Sequence, residues 1–138
     1  MQVFIIGTAF ETAMVLDKKR LNKQIIECGQ ILKTINGESK YWRNHPCVKM
    51  YTEHKIWLCY YVMSLGYYKE GNKDASIRYS NYANNYRPNF HTQDYFDNMK
   101  RRLYTKNNNH YKEFVNLGES YENWYWIDNK WKKYKVKI

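Results

Sequence analysis

A chain of 138 residues is long enough to bury a core and too short for several domains. Its 23 Lys and Arg against 13 Asp and Glu give a net charge of +10, which favours a polyanionic partner, nucleic acid ahead of an anionic membrane or an acidic protein. The 3 cysteines show no paired spacing, which argues against a disulfide framework and for a reducing, cytoplasmic setting.

Met1 to Ile6 is apolar and β-branched, a brief strand or an extended lead-in. Phe10 and Glu11 interrupt it too early for a signal peptide. Thr8 and Glu11 form a capping box that predicts a short helix over about Ala9 to Asp17. A long helix follows to the Asn36-Gly37 stop, with Leu21, Ile25, Cys28, Leu32 and Ile35 as its buried face. Arg20, Gln24 and Glu27 fall on one contiguous edge, roughly 60° to 120° from that face. The plain reading of this edge is a surface network of neighbouring side chains, worth a few tenths of a kcal/mol. The sharper reading is a cleft wall, joined by Arg43, Asn44 and His45 from the next loop.

A second long helix is expected over about Cys47 to Glu70, apolar nearly all round from Ile56 and therefore central to the core. Its apolar run, interrupted by Ser64 and Gly66, is too short for a membrane span. Further helices are expected over about Asp74 to Asn84, His91 to Leu103 and, briefly, His110 to Leu117, with a break at Tyr86-Arg87-Pro88-Asn89. Asp128-Asn129, between aromatic flanks, reads as a β-hairpin turn. The expected fold is mainly α: a single compact helical domain over 1–138 with two long helices and a small C-terminal hairpin.

No HxxxH or CxxC spacing supports a metal site, and no Walker A, GxGxxG or GxSxG motif is present, so neither metal nor cofactor is expected. Lys18, Lys19, Lys23, Arg43, Lys100, Arg101 and Arg102 are candidate phosphate contacts, against the plain alternative of solvated charge. In the tail, Trp124, Trp126 and Trp131 interleave with lysines, a pattern suited to stacking on bases or, alternatively, to hairpin packing.

The pattern Leu16-Asp17-x-x-Arg20-Leu21-x-Lys23-Gln24-x-x-Glu27, followed by Gln30-Ile31-Leu32, resembles the pyrimidine-dimer DNA glycosylase family, the phage endonuclease V-like enzymes. Trp42-Arg43-Asn44-His45-Pro46 and Phe90-His91 with Asn98, Arg101, Leu103, Lys106 and Tyr111 extend the resemblance over most of the chain. It implies an all-α domain that excises damaged pyrimidines from duplex DNA and then nicks the strand as an AP lyase. The nucleophile implied is the N-terminal α-amine, here on Met1, which forms a Schiff base at the sugar C1′. The assisting glutamate aligns with Glu27. Arg20 falls where the family has a DNA-contacting histidine, Gln2 lies near its N-terminal arginine, and Gln24 and Gln30 occupy positions charged in the best-known member.

The chemistry is coherent. A Schiff-base nucleophile must be neutral, and near pH 7 a chain-terminal amine is neutral about several hundredfold more often than a lysine. A carboxylate beside it stabilises positive charge on the sugar and moves protons during β-elimination. The expected catalytic pair is Met1 and Glu27. The expected DNA contacts are Gln2, Arg20, Lys23, Gln24, Arg43, Asn44, His45, His91, Arg101, Arg102, Trp126 and Trp131. The partner is double-stranded DNA, with no membrane, and the protein is expected to act as a cytoplasmic monomer, in a bacterial host cell if phage-encoded. The alternative is a DNA-binding protein that keeps the fold without the chemistry.

Overall fold

The computed structural model describes residues 1–136, which fall into two compact units, Met1–Pro88 and the remainder from Asn89. Six α-helices and one two-stranded antiparallel hairpin are present among the described residues, so the fold is mainly α. No helix among them is long and apolar enough to cross a membrane.

The first unit begins with an extended segment that joins no sheet, although Val3, Phe4 and Ile5 are fully buried. Helix α1 (Ala9–Val15) starts at the expected capping box, with Thr8 and Glu11 each satisfying the other's backbone N–H. Helix α2 (Lys18–Ile35) ends on Gly37 at φ +78°, where Gly37 and Glu38 donate to the carbonyls of Thr34 and Lys33. This is a Schellman closure, and a left-handed residue at that position is what glycine supplies without strain.

The expected helix over Cys47 to Glu70 is two helices. Helix α3 (Pro46–Tyr51) passes through a 3-10 turn at Thr52–His54 into α4 (Lys55–Lys69). Thr52 Oγ1 donates to the Val48 carbonyl at 2.8 Å, a side-chain bond that competes with the helical ladder at the break. Helix α4 is central, packing on α1, α2 and α5 (Lys73–Asn84). Its Trp57, Leu58, Tyr61, Ser64 and Leu65 are buried, whereas Ile56 and Met63 face outward. The Ser64 and Ser76 hydroxyls each donate to the other residue's carbonyl, so α4 and α5 approach closely without an unpaired polar group.

In the second unit, α6 (Gln93–Lys106) is capped by Thr92 and followed by a short 3-10 helix at Lys112–Leu117, within the short helix expected over His110 to Leu117. Strands β1 (Glu122–Ile127) and β2 (Lys130–Lys135) pair antiparallel with Trp126 opposite Trp131. Asp128 and Asn129 both adopt left-handed φ, at +55° and +59°, as in a type I′ turn, at the position where the sequence suggested a hairpin turn.

Candidate active site

The buried face of α2 is Leu21, Gln24, Cys28, Ile31 and Thr34. Ile25, Leu32 and Ile35, expected at its centre, are only half-buried. The face is rotated toward the polar edge because its polar members find partners elsewhere in the chain. Thr34 Oγ1 donates to the Tyr41 carbonyl at 2.7 Å. Gln24 is 1% exposed and bonds at both ends of its amide. Its Oε1 accepts from the Phe4 N–H at 3.0 Å, and its Nε2 donates to the Gln2 carbonyl at 2.6 Å. The Tyr61 hydroxyl donates to the Phe4 carbonyl and lies 3.1 Å from Gln24 Oε1. One amide and one phenol thus replace the neighbouring strand that this segment lacks. Gln24, expected to touch DNA, is committed to the chain's own backbone.

This clasp fixes the position of the N-terminal segment on α2. Phe4 lies under the Arg20 guanidinium, 5.4 Å from ring centre to charge, one turn before Gln24. Gln2 is held at Gln24 itself. One further residue advances the chain by about 3.3 Å, and Gln24 to Glu27 spans about 4.5 Å along the helix. Met1 therefore lies within one residue of the Gln24 contact, beside the middle of α2, the stretch that also carries Glu27 and Cys28.

The N-terminal amine is near enough to act on Cys47 and His45. Burial pushes the Cys47 thiol up to about 12, opposed by the positive N-terminal amine and a hydrogen bond with the Val3 backbone, and reinforced by the Glu27 carboxylate. Burial also raises Cys28 strongly, with Cys47 and Glu27 adding to the effect. His45 is lowered below its ordinary value, first by burial and then by the N-terminal amine. The amine and the Glu27 carboxylate therefore both act on the Cys47 thiol, with opposite sign. Glu27 is partly covered and makes a long, 3.8 Å ion pair with the exposed Lys23, a contact worth a few tenths of a kcal/mol. Beside the amine, Gln2 is 6% exposed, and its side-chain Oε1 is buried without a hydrogen-bond partner among the described residues.

His45 has a second function in this region. Its Nδ1 accepts the Cys47 N–H at 3.0 Å and caps α3, so the neutral ring carries its proton on Nε2. Arg43 and Asn44, just before it, are exposed.

In the second unit, His91 is buried, stacked on Tyr95 at 5.9 Å and set edge-on to Phe90. Arg102 is buried and donates to the Ser120 carbonyl at 2.8 Å and to Asn123 Oδ1 at 3.2 Å, so it ties α6 to the approach of the hairpin. Arg101 is half-buried and donates to the Leu117 carbonyl. Trp131 stacks on Tyr95 at 4.8 Å and meets Trp126 edge-on, which places both indoles in the hairpin's packed face. Of the basic and aromatic tail, Lys133 lies over the Trp124 ring at 4.1 Å, and Lys130 and Lys135 are exposed. Lys137 lies outside the described residues.

Sequence reading missed Tyr61 and Cys47. Tyr61 sits in an apolar run where nothing marks its hydroxyl as a backbone partner for residue 4, and Cys47 has the spacing of an ordinary core residue.

Residues 1–67 match the family model described as pyrimidine dimer DNA glycosylase. The matched stretch contains the N-terminal segment, α2, the Trp42–Pro46 loop and most of α4. No curated protein and no solved structure matches the chain.

Proposed function

We propose that this chain is a DNA glycosylase acting on damaged or modified pyrimidines in duplex DNA, with an associated AP lyase step. The observation that carries the reading is the clasp of the N-terminal segment onto α2. It ties the chain terminus to the helix bearing the glutamate that the family resemblance singles out.

In this mechanism the neutral Met1 amine attacks C1′ of the damaged nucleotide and the glycosidic bond breaks, its electron pair leaving with the base. The C1′–O4′ bond then breaks as the nitrogen lone pair forms a protonated Schiff base at C1′, and O4′ stays on C4′ as a hydroxyl after taking a proton from water. Glu27 stabilises the positive charge developing on the sugar. It then accepts the C2′ proton, and β-elimination expels the 3′ phosphate. Gln24 does not touch the substrate in this scheme; it is a positioning residue that fixes the backbone on which the amine is mounted. The unpartnered Gln2 Oε1 supplies an acceptor at the same place. Arg20, Lys23, Arg43, Asn44 and His45 flank it as candidate DNA contacts. In the second unit, Arg101 and the exposed hairpin lysines are better placed for phosphate than Arg102 or His91, whose side chains are buried.

Borohydride reduction on DNA containing an abasic site tests the scheme. The expected result is a covalent protein–DNA adduct whose trapped peptide contains Met1. Glu27→Gln is expected to lower the adduct yield at least tenfold while leaving the thermal midpoint within a degree or two, since its ion pair contributes so little. DNA binding without any adduct in the unaltered protein overturns the lyase step and favours the reading of a non-catalytic DNA-binding protein.

A further inference from the structure

The loop after α2 presents an aromatic side chain in a backbone conformation that bulky residues avoid. Trp42 has φ +64°, the left-handed region, yet it is neither glycine nor asparagine. Such outliers persist only where the surroundings hold them, and this loop is held on both sides. Thr34 Oγ1 donates to the Tyr41 carbonyl at 2.7 Å, and the His45 N–H donates to the Trp42 carbonyl at 2.8 Å. The Trp42 ring meets the His45 ring edge-on at 5.6 Å. Despite these restraints Trp42 is 48% exposed and Tyr41 78% exposed.

Beside the two rings lies a cleft of about 190 Å³, lined by Gln30, Lys33, Ser39, Tyr41 and Trp42. Its size suits a single planar ring system and is too small for a peptide segment. Its chemistry suits one as well: aromatic surface for a π-face, an amide and a hydroxyl for polar ring edges, and a lysine for a nearby phosphate. Arg43, next to Trp42 in the chain, is an exposed second cation. His45, which the Trp42 ring touches, is the residue whose imidazole feels the N-terminal amine.

We propose that Trp42 is a stacking element that holds one unpaired nucleobase of the opened duplex in this cleft. The inference rests on the glycosylase reading above, because a paired base has both faces covered by its neighbours and offers neither face to Trp42. It makes Trp42 a specificity-determining residue: the free energy of stacking is gained only on DNA in which a base has lost its partner.

The test is fluorescence anisotropy with the full chain on two duplexes of one sequence. One is intact, and the other carries a stable abasic analogue that leaves the opposite base unpaired. The informative variant is Trp42→Asn, which removes the ring while placing at φ +64° a residue that tolerates it, so folding is retained. The expected result is a loss of roughly 5- to 150-fold in affinity for the abasic duplex, with affinity for the intact duplex unchanged. Trp42→Phe is expected to keep most of the preference. An equal loss on both duplexes, or no loss on either, overturns the inference. Borohydride trapping by the unaltered protein reports separately on the underlying reading. If it traps DNA and Trp42→Asn keeps the preference, the stacking role alone fails. If it neither traps DNA nor prefers the abasic duplex, both fail.

Discussion

Replacing Gln24 by leucine keeps much of the side chain's volume and removes both hydrogen-bonding ends of its amide. The Phe4 N–H and the Gln2 carbonyl would lose that partner in a buried setting, at about 1–3 kcal/mol for each group left unsatisfied. Gln24→Leu is therefore expected to lower the thermal unfolding midpoint by several degrees, and to reduce borohydride trapping although Glu27 is untouched. Tyr61→Phe removes one donor from the same cluster and should cost about 1 kcal/mol, read in the same melt. At this scale the sequence was legible in part. The polar edge of α2 was visible from spacing, but its division of labour was not. Gln24 and Thr34 count as polar on any hydropathy wheel, and only partners distant in the chain or across a loop allow them to be buried.

The helices behave similarly as units. The capping box at Thr8 and Glu11, the glycine stop at Gly37 and the Asp128-Asn129 turn are local devices, and each formed where the sequence places it. The break between α3 and α4 was not legible, because it contains neither proline nor glycine and depends on a threonine turning back to its own helix. Helix α3 also has a pH-sensitive cap. His45 is lowered in the folded protein, chiefly by burial, so the unfolded chain takes up the proton first as pH falls below the ordinary value near 6.5. Stability is present above that range and is lost on acidification through it. His54 shifts in the same direction for the same leading cause, with Glu53 opposing. A thermal midpoint that falls between pH 7 and 5, and falls less in His45→Asn, would show this, since asparagine caps without titrating. In the hairpin, Asn129→Gly removes the residual strain of a left-handed residue and is expected to stabilise the turn by a few tenths to about 1 kcal/mol, measured by denaturant melts.

For the molecule as a whole, the net charge of +10 predicts DNA binding that weakens steeply with salt. Log affinity against log salt should fall linearly, and charge reversal at Arg43 should reduce the slope by about one for each phosphate contact removed. A slope near zero would remove the electrostatic basis of DNA binding. The mainly helical class and the terminal hairpin were readable from periodicity and turn chemistry. The boundary between the two compact units falls within the Tyr86-Arg87-Pro88-Asn89 break that the sequence marks.

The clasp also sets an order of events during synthesis. The buried Val3, Phe4 and Ile5 are translated well before one of their partners, since the phenol that holds Phe4 lies 57 positions later in the chain. At about 5–20 residues per second, the ribosome takes roughly 3–11 s to add it. Through that interval these residues are an unshielded apolar stretch whose backbone partners have not all been made. The segment that is proposed to carry the nucleophile thus waits on a residue of α4 before it is fixed in place.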